Sequence, residues 1–365
     1  VTVSVLYWPG STASNAYGLC MHWAARARVI CALFVIVSLV NSCMAWRTRP
    51  LHPAFGVIVS GVTVRDIASS NDHVETLRGL IHKHRLVLIR NREDDADDDG
   101  CGLQQAGSAC NSVRRLPPVA PEDQLALSRK LGPIESTFYK HPMSPDPDIF
   151  RVSNDESVGC THVGRSGWHL DGTFLPEPFA YQTMHFPRAI PGGATEFVPL
   201  FELLHSQPAK VQEEWRRLSF LSTGAEHRLV RRHPVTGRET LLFHLGAPFC
   251  GGWLRDADPK RGTEATDPTY EPPHDRIEEI QNAIDAARQP VWPLDRDDPA
   301  SRTPLVLTLE WRDDDFAILD NMAVAHYAVP NTQADPQRAG VRILHRTTML
   351  LPDSVRGRFP AESAP

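Results

Sequence analysis

From Ile149 onward the chain is cut into short strand-like stretches, at 149–153, 180–186, 195–198, 227–233, 239–245, 304–310, 315–319 and 340–349. Proline and glycine separate them. Each stretch is a few β-branched or aromatic residues long, so it can bury a face only against other strands, and many such pieces in succession predict a sandwich or barrel. Two stretches break the pattern. Leu200 to Leu218 reads as one helix, and Asp275 to Arg288 reads as another, with Ile277, Ile280, Ile284 and Ala287 at helical spacing. Helices of this kind cover a β core from outside, so the expected class is mainly β with flanking helices. No internal repeat is evident.

Upstream, HPAFGVIVSGVTVRD from about Leu51 alternates enough for a strand. His73 to Arg85 follows as a helix capped by Ser70 or Asn71, and Leu86 to Ile89 as a buried strand. Residues 92–121 carry Glu93, Asp94, Asp95, Asp97, Asp98 and Asp99 among Gly, Ser and Pro, a composition that cannot pack, and they read as a solvated, disordered insertion. Helical periodicity resumes from Glu122 to Leu131. The expected globular domain is 51–352, with 353–365 as a tail.

Residues 22–45 run from HWAARAR through the apolar Val29–Val40 to NSCMA, the order of a signal peptide cleaved after Ala45. The apolar core is shorter than the roughly 20 residues that span a bilayer, although extension to Trp46 would make a signal anchor. With 1–45 as an N-terminal extension, the chain is expected to enter the endoplasmic reticulum, for secretion or for a plastid reached through it, and to keep no membrane span after cleavage. If 1–45 is a gene-model artefact, the alternative is a cytoplasmic protein. The formal net charge of -6 and the absence of a basic, aromatic-interleaved run argue against nucleic acid as a partner. No Cys-x-x-Cys occurs, so a zinc ribbon is not expected; Cys101 and Cys110 could pair in an oxidising lumen. Homo-oligomerisation stays open.

The chemistry concentrates in Trp168-His169-Leu170-Asp171-Gly172-Thr173-Phe174. On a strand, positions i and i+2 share a face, which would bring the His169 imidazole and the Asp171 carboxylate together. A second imidazole, His326, follows the apolar DFAIL in LDNMAVAHY. Two His and one carboxylate fill one face of an octahedral iron and leave adjacent positions for oxygen chemistry. A zinc hydrolase could use the same three ligands. Arg342 and Arg346 in VRILHRTTML are four apart, hence on one face of a strand, and two guanidinium groups turned one way call for anionic partners.

WHLDGTF, PGGATEF, RRHPVTGRETLLF, LDNMAVAHYAVPN and RILHRTTM are similar, in this order, to segments of the taurine dioxygenase family, and GVIVSGVTV and LVLIRN resemble its first strands. The resemblance covers about residues 51–352. It implies a double-stranded β-helix, or jelly-roll, enzyme that uses Fe(II), 2-oxoglutarate and O2 to hydroxylate a small anionic sulfonate or carboxylate, releasing succinate and CO2. By matching position it implies that His169, Asp171 and His326 hold the metal and that Thr195 and Arg342 hold 2-oxoglutarate. Arg346 matches the arginine that takes the substrate anion, Phe174 a pocket-lining position and His141 a substrate-contacting histidine.

This chain also departs from the family pattern. Fifteen residues separate His326 from Arg342, so NTQADPQRAG reads as an extra loop and Arg338 competes for the 2-oxoglutarate role. Ser144 stands where taurine dioxygenase has a tyrosine, Leu319 replaces an aromatic, and His244 replaces a common Asn. These changes point to a substrate other than taurine. A jelly-roll metal hydrolase and a catalytically silent binding protein are the alternatives to an active dioxygenase.

Overall fold

A computed structural model describes residues 46–90, 117–136, 139–256, 267–295 and 301–357. The N-terminal segment through residue 45, the acidic run through 116 and the C-terminal residues from 358 lie outside the described residues, and with them the signal peptide, most of the insertion and the Cys101–Cys110 pair. Among the described residues no helix is long and apolar enough to cross a membrane.

The strand expected from Leu51 is shorter than its alternation suggested: β1 is Val57–Ser60, and helix α1, Val64–Ser69, follows at once. A capping box switches the chain from one to the other, because Thr63 accepts from the Asp66 amide while the Asp66 carboxylate accepts from the Thr63 amide. Helix α2, Asn71–His84, is capped by Ser70. Strand β2, Leu86–Ile89, then pairs in parallel with β1, an arrangement that needs a crossover such as α1 and α2 provide. Helix α3 is Pro121–Leu131.

The β core follows as β3 (Phe150–Ser153), β4 (Tyr181–Arg188) and β5 (Thr195–Pro199). The single helix expected at 200–218 is two, α4 (Leu200–His205) and α5 (Ala209–Arg216). Pro208 between them has no amide hydrogen to continue the first helix, and it serves as the N-cap of the second. Next come β6 (Leu218–Ser222), β7 (Glu226–Arg228), β8 (Val230–Arg232), β9 (Glu239–Leu241), β10 (Cys250–Arg255) and β11 (Thr269–Glu271). Helix α6 (Pro273–Ala286) precedes β12 (Leu307–Leu309), β13 (Phe316–Asp320), β14 (Val324–Ala328) and β15 (Ile343–Met349).

Six of the seven strands of the larger sheet run β1-β2-β13-β4-β15-β3, and the sheet opposite it runs β12-β5-β14. Register decides what lies between them. Ala317 pairs with Leu88 on one side and Met184 on the other, so these side chains share a face, and the alternation carries Leu86, Phe186, Leu319 and Leu344 onto it. They pack on Phe197, Val324 and Leu309 of the second sheet and on Trp311. Two sheets facing one another across this core are the sandwich that the short strands predicted and the jelly roll that the resemblance implied. The other face of the larger sheet is polar in places yet covered: Gln124 of α3 donates to the hydroxyls of Thr183 and Thr347 and to the His345 carbonyl. A second core joins Trp215, Ile280 and Ile284 of the helices to Leu218, Phe220 and Trp253.

The same alternation positions the chemistry. Arg342 and Arg346 flank Leu344 on the inner face of the larger sheet, while His326 lies opposite Phe197 and Thr195 opposite Ala328 on the inner face of the smaller one. Arginines and ligands therefore meet between the sheets.

Candidate metal and ligand site

His169 is not in a strand. It is an isolated bridge residue held between two segments, exchanging backbone hydrogen bonds with His326 at 3.1 and 3.0 Å and bridging to His244 on its other side. A turn begins at Asp171, because Gly172 has φ +82° and any side chain there would run into Phe179. Asn321, at the β13–β14 turn, holds the Asp171 peptide. Its amide oxygen accepts from the Asp171 N–H at 3.0 Å, and its amide nitrogen donates to the Asp171 and Phe179 carbonyls at 2.9 and 2.7 Å.

Thus His169, Asp171 and His326 converge although no regular strand joins them, with one donor atom from each within 4.8 Å of the others. All three are buried. The Nδ1 of His169 lies 2.8 Å from the Gly167 carbonyl, which can only accept, so its proton sits on Nδ1 and Nε2 keeps its lone pair. That is the arrangement a metal-binding imidazole needs. Burial, with His326 and His244 nearby, pushes His169 well below the usual histidine range and so keeps it neutral. Burial pushes the Asp171 carboxyl up, but Arg346 and His326 more than reverse this and hold it below the ordinary carboxylate range. The set offers two imidazoles and one carboxylate, which fits a divalent iron.

Arg346 donates from Nη1 to both oxygens of Asp171, at 3.0 and 2.9 Å. Arg342 differs. It is 3 % exposed, its guanidinium lies over the Phe186 ring, and among the described residues no carboxylate pairs with it. Burial alone lowers its pKa to about 10. A cation kept in a dry place without an anion is costly unless a ligand supplies one. Thr195 lines the same cavity as Arg342, together with His326, Arg346 and Gln182. Its hydroxyl accepts from the Trp311 indole at 2.9 Å. Both polar atoms of the Gln182 amide are buried without a partner. Sequence reading missed Gln182 and Asn321, which carry no motif; the tripeptide Leu319-Asp320-Asn321 was the one available signal for Asn321.

A larger cavity of about 340 Å³ opens on the other side of Asp171, lined by Phe150, Phe174, His244, Phe249, His169 and Arg346 among others. Phe174 is one of the side chains that line it. His141 does not line either cavity: its Nδ1 accepts from the Met143 amide and its Nε2 reaches the Glu156 carbonyl. Arg338 is an exposed residue of the short helix Pro336–Ala339, paired with Asp335, and it is Arg342, beside Arg346, that lines the inner cavity.

A second buried trio, His82, His233 and Asp320, has the same composition. Its hydrogen bonds are of a different kind. The Nδ1 of His233 accepts from the amides of Val235 and Thr236 at 3.2 and 3.1 Å, so its proton is on Nε2 and points at Asp320 Oδ1, 3.0 Å away. His82 reaches Asp320 Oδ2 at 3.0 Å and the Tyr181 hydroxyl at 2.8 Å. A metal would meet a hydrogen where it needs a lone pair. This trio is a hydrogen-bonded clamp that fixes the end of β13, next to Asn321.

Residues 112–286 match the family described as taurine catabolism dioxygenase TauD, TfdA family. The chain is 24% identical over 182 residues to the alpha-ketoglutarate-dependent 2,4-dichlorophenoxyacetate dioxygenase of Cupriavidus pinatubonensis, a match that takes in 46% of this chain and 54%, about half, of that enzyme. It is 23% identical over 319 residues to the (S)-phenoxypropionate/alpha-ketoglutarate-dioxygenase of Sphingobium herbicidovorans, covering 78% of this chain and 90% of that one. Among solved structures, a taurine dioxygenase from Burkholderia xenovorans superposes with a TM-score of 0.56 at 18% identity, over 85% of this chain and 92% of the other. AAD-2, solved with Mn(II) and N-oxalylglycine, gives 0.56 at 16% identity, over 85% and 99%. Both share this fold.

Proposed function

Because the chain carries a domain of the TauD/TfdA family on a jelly-roll core, we propose that it is an Fe(II)- and 2-oxoglutarate-dependent dioxygenase that hydroxylates a small anionic sulfonate or carboxylate. The observation that carries this reading is the pairing of a metal-competent trio with a buried, anion-free arginine in the adjoining cavity. His169, Asp171 and His326 would hold the iron, and the bound metal would supply the oxidation of the substrate at the expense of O2 and 2-oxoglutarate, one oxygen atom going to the substrate and one to succinate, with CO2 released.

The rest is done by the chain. Arg342 and the Thr195 hydroxyl hold the distal carboxylate of 2-oxoglutarate, a geometry that suits a planar guanidinium. The apolar walls between the sheets exclude water, so that each charge contact inside is worth more than it would be in solution. Arg346, shared with Asp171, binds the anion of the substrate, and Phe174 packs on its body. His141, with one ring nitrogen at the Met143 amide and the other at the Glu156 carbonyl beyond β3, has no part here. The arginine and threonine beside the trio favour this reading over a metal hydrolase, which needs no dicarboxylate.

The test is anaerobic loading with Fe(II) followed by 2-oxoglutarate, O2 and a panel of sulfonates and carboxylates, scoring succinate. Succinate release that needs both Fe(II) and 2-oxoglutarate is expected; none with any panel member, and no 2-oxoglutarate binding, would exclude it. For the N-terminus, the signal-like order of residues 22–45 supports entry into the endoplasmic reticulum, and mass spectrometry of the native N-terminus, expected to begin at Trp46, tests it.

A further inference from the structure

His244 stands where the family pattern has a common Asn, and its ring is fixed on three sides. One face stacks on His169, with centroids 4.8 Å apart and planes 27° apart, and the other lies against Phe249 at 4.4 Å. On its edge, Nδ1 accepts from the Gly246 amide at 3.0 Å. A backbone N–H can only donate, so Nδ1 carries no hydrogen and the imidazole is the neutral tautomer protonated on Nε2. The side chain is 6 % exposed and lines the 340 Å³ cavity, and no hydrogen bond to Nε2 forms among the described residues. With both faces and Nδ1 taken, the edge it turns to the cavity is the one carrying Nε2–H.

We propose that His244 is a substrate-contacting residue that selects, among small anions, those carrying a hydrogen-bond acceptor such as an ether or carbonyl oxygen, and rejects those carrying an ammonium. This rests on the dioxygenase reading above and names its substrate class more closely. The reason lies in what His244 itself offers to a cavity whose other polar lining includes Ser166, Asp171 and Thr173. Arg346 is donor-only, and His244 in this tautomer also offers only a donor to the cavity, whereas an Asn amide presents both an acceptor and a donor. An ammonium placed beside Nε2–H would face a donor and no lone pair of that ring, with the Arg346 cation lining the same cavity. An ether oxygen in the same place completes a hydrogen bond and leaves nothing buried and unpaired. The stack on His169 holds the ring rigid, so it cannot turn Nδ1 inward without leaving the Gly246 amide unsatisfied.

Two measurements test this on the full-length chain. In the first, histidine 15N chemical shifts at neutral pH report the tautomer of His244, assigned by its loss in H244F; protonation on Nε2 alone is expected, and protonation on Nδ1, alone or together with Nε2, overturns the proposal. In the second, binding is measured by calorimetry without O2, with 2-oxoglutarate and Mn(II), for matched pairs that differ only in ammonium against methyl ether: 2-aminoethanesulfonate against 2-methoxyethanesulfonate, and 3-aminopropanoate against 3-methoxypropanoate. The wild type should favour the ether member about tenfold or more, the worth of one hydrogen bond. H244F, which keeps the stack and loses the N–H, should lose that preference, and H244N should gain the ammonium member. Equal binding of both members, preference for the ammonium, no binding of either pair, or a preference that survives in H244F overturns it. If 2-oxoglutarate still binds in any of those cases, the dioxygenase reading stands and only this inference falls.

Discussion

Arg346 donates to both carboxylate oxygens of Asp171, so the charge that a metal would neutralise is already paired inside the protein. The two side chains are 6 and 10 % exposed, and breaking one partner of such a pair costs about 3–5 kcal/mol when the other stays buried. Arg346→Ala should therefore lower the melting temperature of the metal-free chain. Added Mn(II) should restore more stability to the variant than to the wild type, because the metal replaces the lost cation. Thermal melts with and without metal decide this; equal metal effects in both would show that the pair and the metal do not compete for Asp171.

The two arginines of β15 and its approach should fail differently. Arg342→Ala removes the cation that awaits a carboxylate and should weaken 2-oxoglutarate binding by about a hundredfold or more, while leaving substrate affinity much less changed. Arg346→Ala should do the reverse. Lys at Arg342 should recover only part of the loss, since an ammonium lacks the planar fork. Calorimetric titration of each ligand against each variant checks the assignment.

Gln182 buries both atoms of its amide without partners in the cavity that Arg342 and Thr195 line. Replacing it by Leu, of similar size, should raise the stability of the ligand-free chain by about 1 kcal/mol, because an unsatisfied polar group is removed. The same change should weaken 2-oxoglutarate binding about tenfold if the amide is there for the ligand. A melting curve and a titration on one protein give both numbers, and a gain in stability with no loss of affinity would make Gln182 a packing residue only.

Metal stoichiometry should distinguish the two His-His-Asp trios. One divalent ion per chain is expected in the wild type, none in His169→Ala, and still one in His233→Ala, because the His233 proton faces Asp320. Metal analysis after dialysis reads this directly. Two ions per chain in the wild type would refute the tautomer argument.

His345 gives a pH prediction. Burial first, then His185 and Arg151, lower its pKa to about 3 from the ordinary 6.5. The folded chain therefore refuses a proton that the unfolded chain takes up as pH falls below 6.5. The stability it contributes is complete above that pH and is lost progressively toward pH 3, by on the order of 2–3 kcal/mol at pH 4.5. His345→Gln keeps an acceptor for the Arg151 guanidinium, 2.9 Å away in the wild type, and removes the titration. Its melting temperature should fall less between pH 7.5 and 4.5 than that of the wild type.

Periodicity alone settled much of this fold. Short apolar runs between prolines and glycines, LVLI and FAIL among them, predict strands, and the spacing of four between Arg342 and Arg346 puts both arginines on one face, since strand geometry leaves a side chain only two directions. Ordered local motifs singled out His169, Asp171, His326, Thr195 and Arg342 as residues to be brought together. Local pattern failed where local chemistry overrode it. The Thr63–Asp66 capping box turned an apparent strand into a helix, and Pro208 divided another helix in two.

What tertiary structure decided is of another kind. Whether a histidine offers a lone pair or a hydrogen depends on which backbone group stands beside its other nitrogen, and that neighbour is set by how distant segments pack. Residue composition does not distinguish the trio of His169 from the trio of His233; a carbonyl at one Nδ1 and amides at the other do. The clamp of Asn321 on Asp171 spans 150 positions, and Gln182 is unpaired only because two sheets close over it. Composition and spacing named the ligands, and the directions of hydrogen bonds between segments far apart in the chain determined which of them can act.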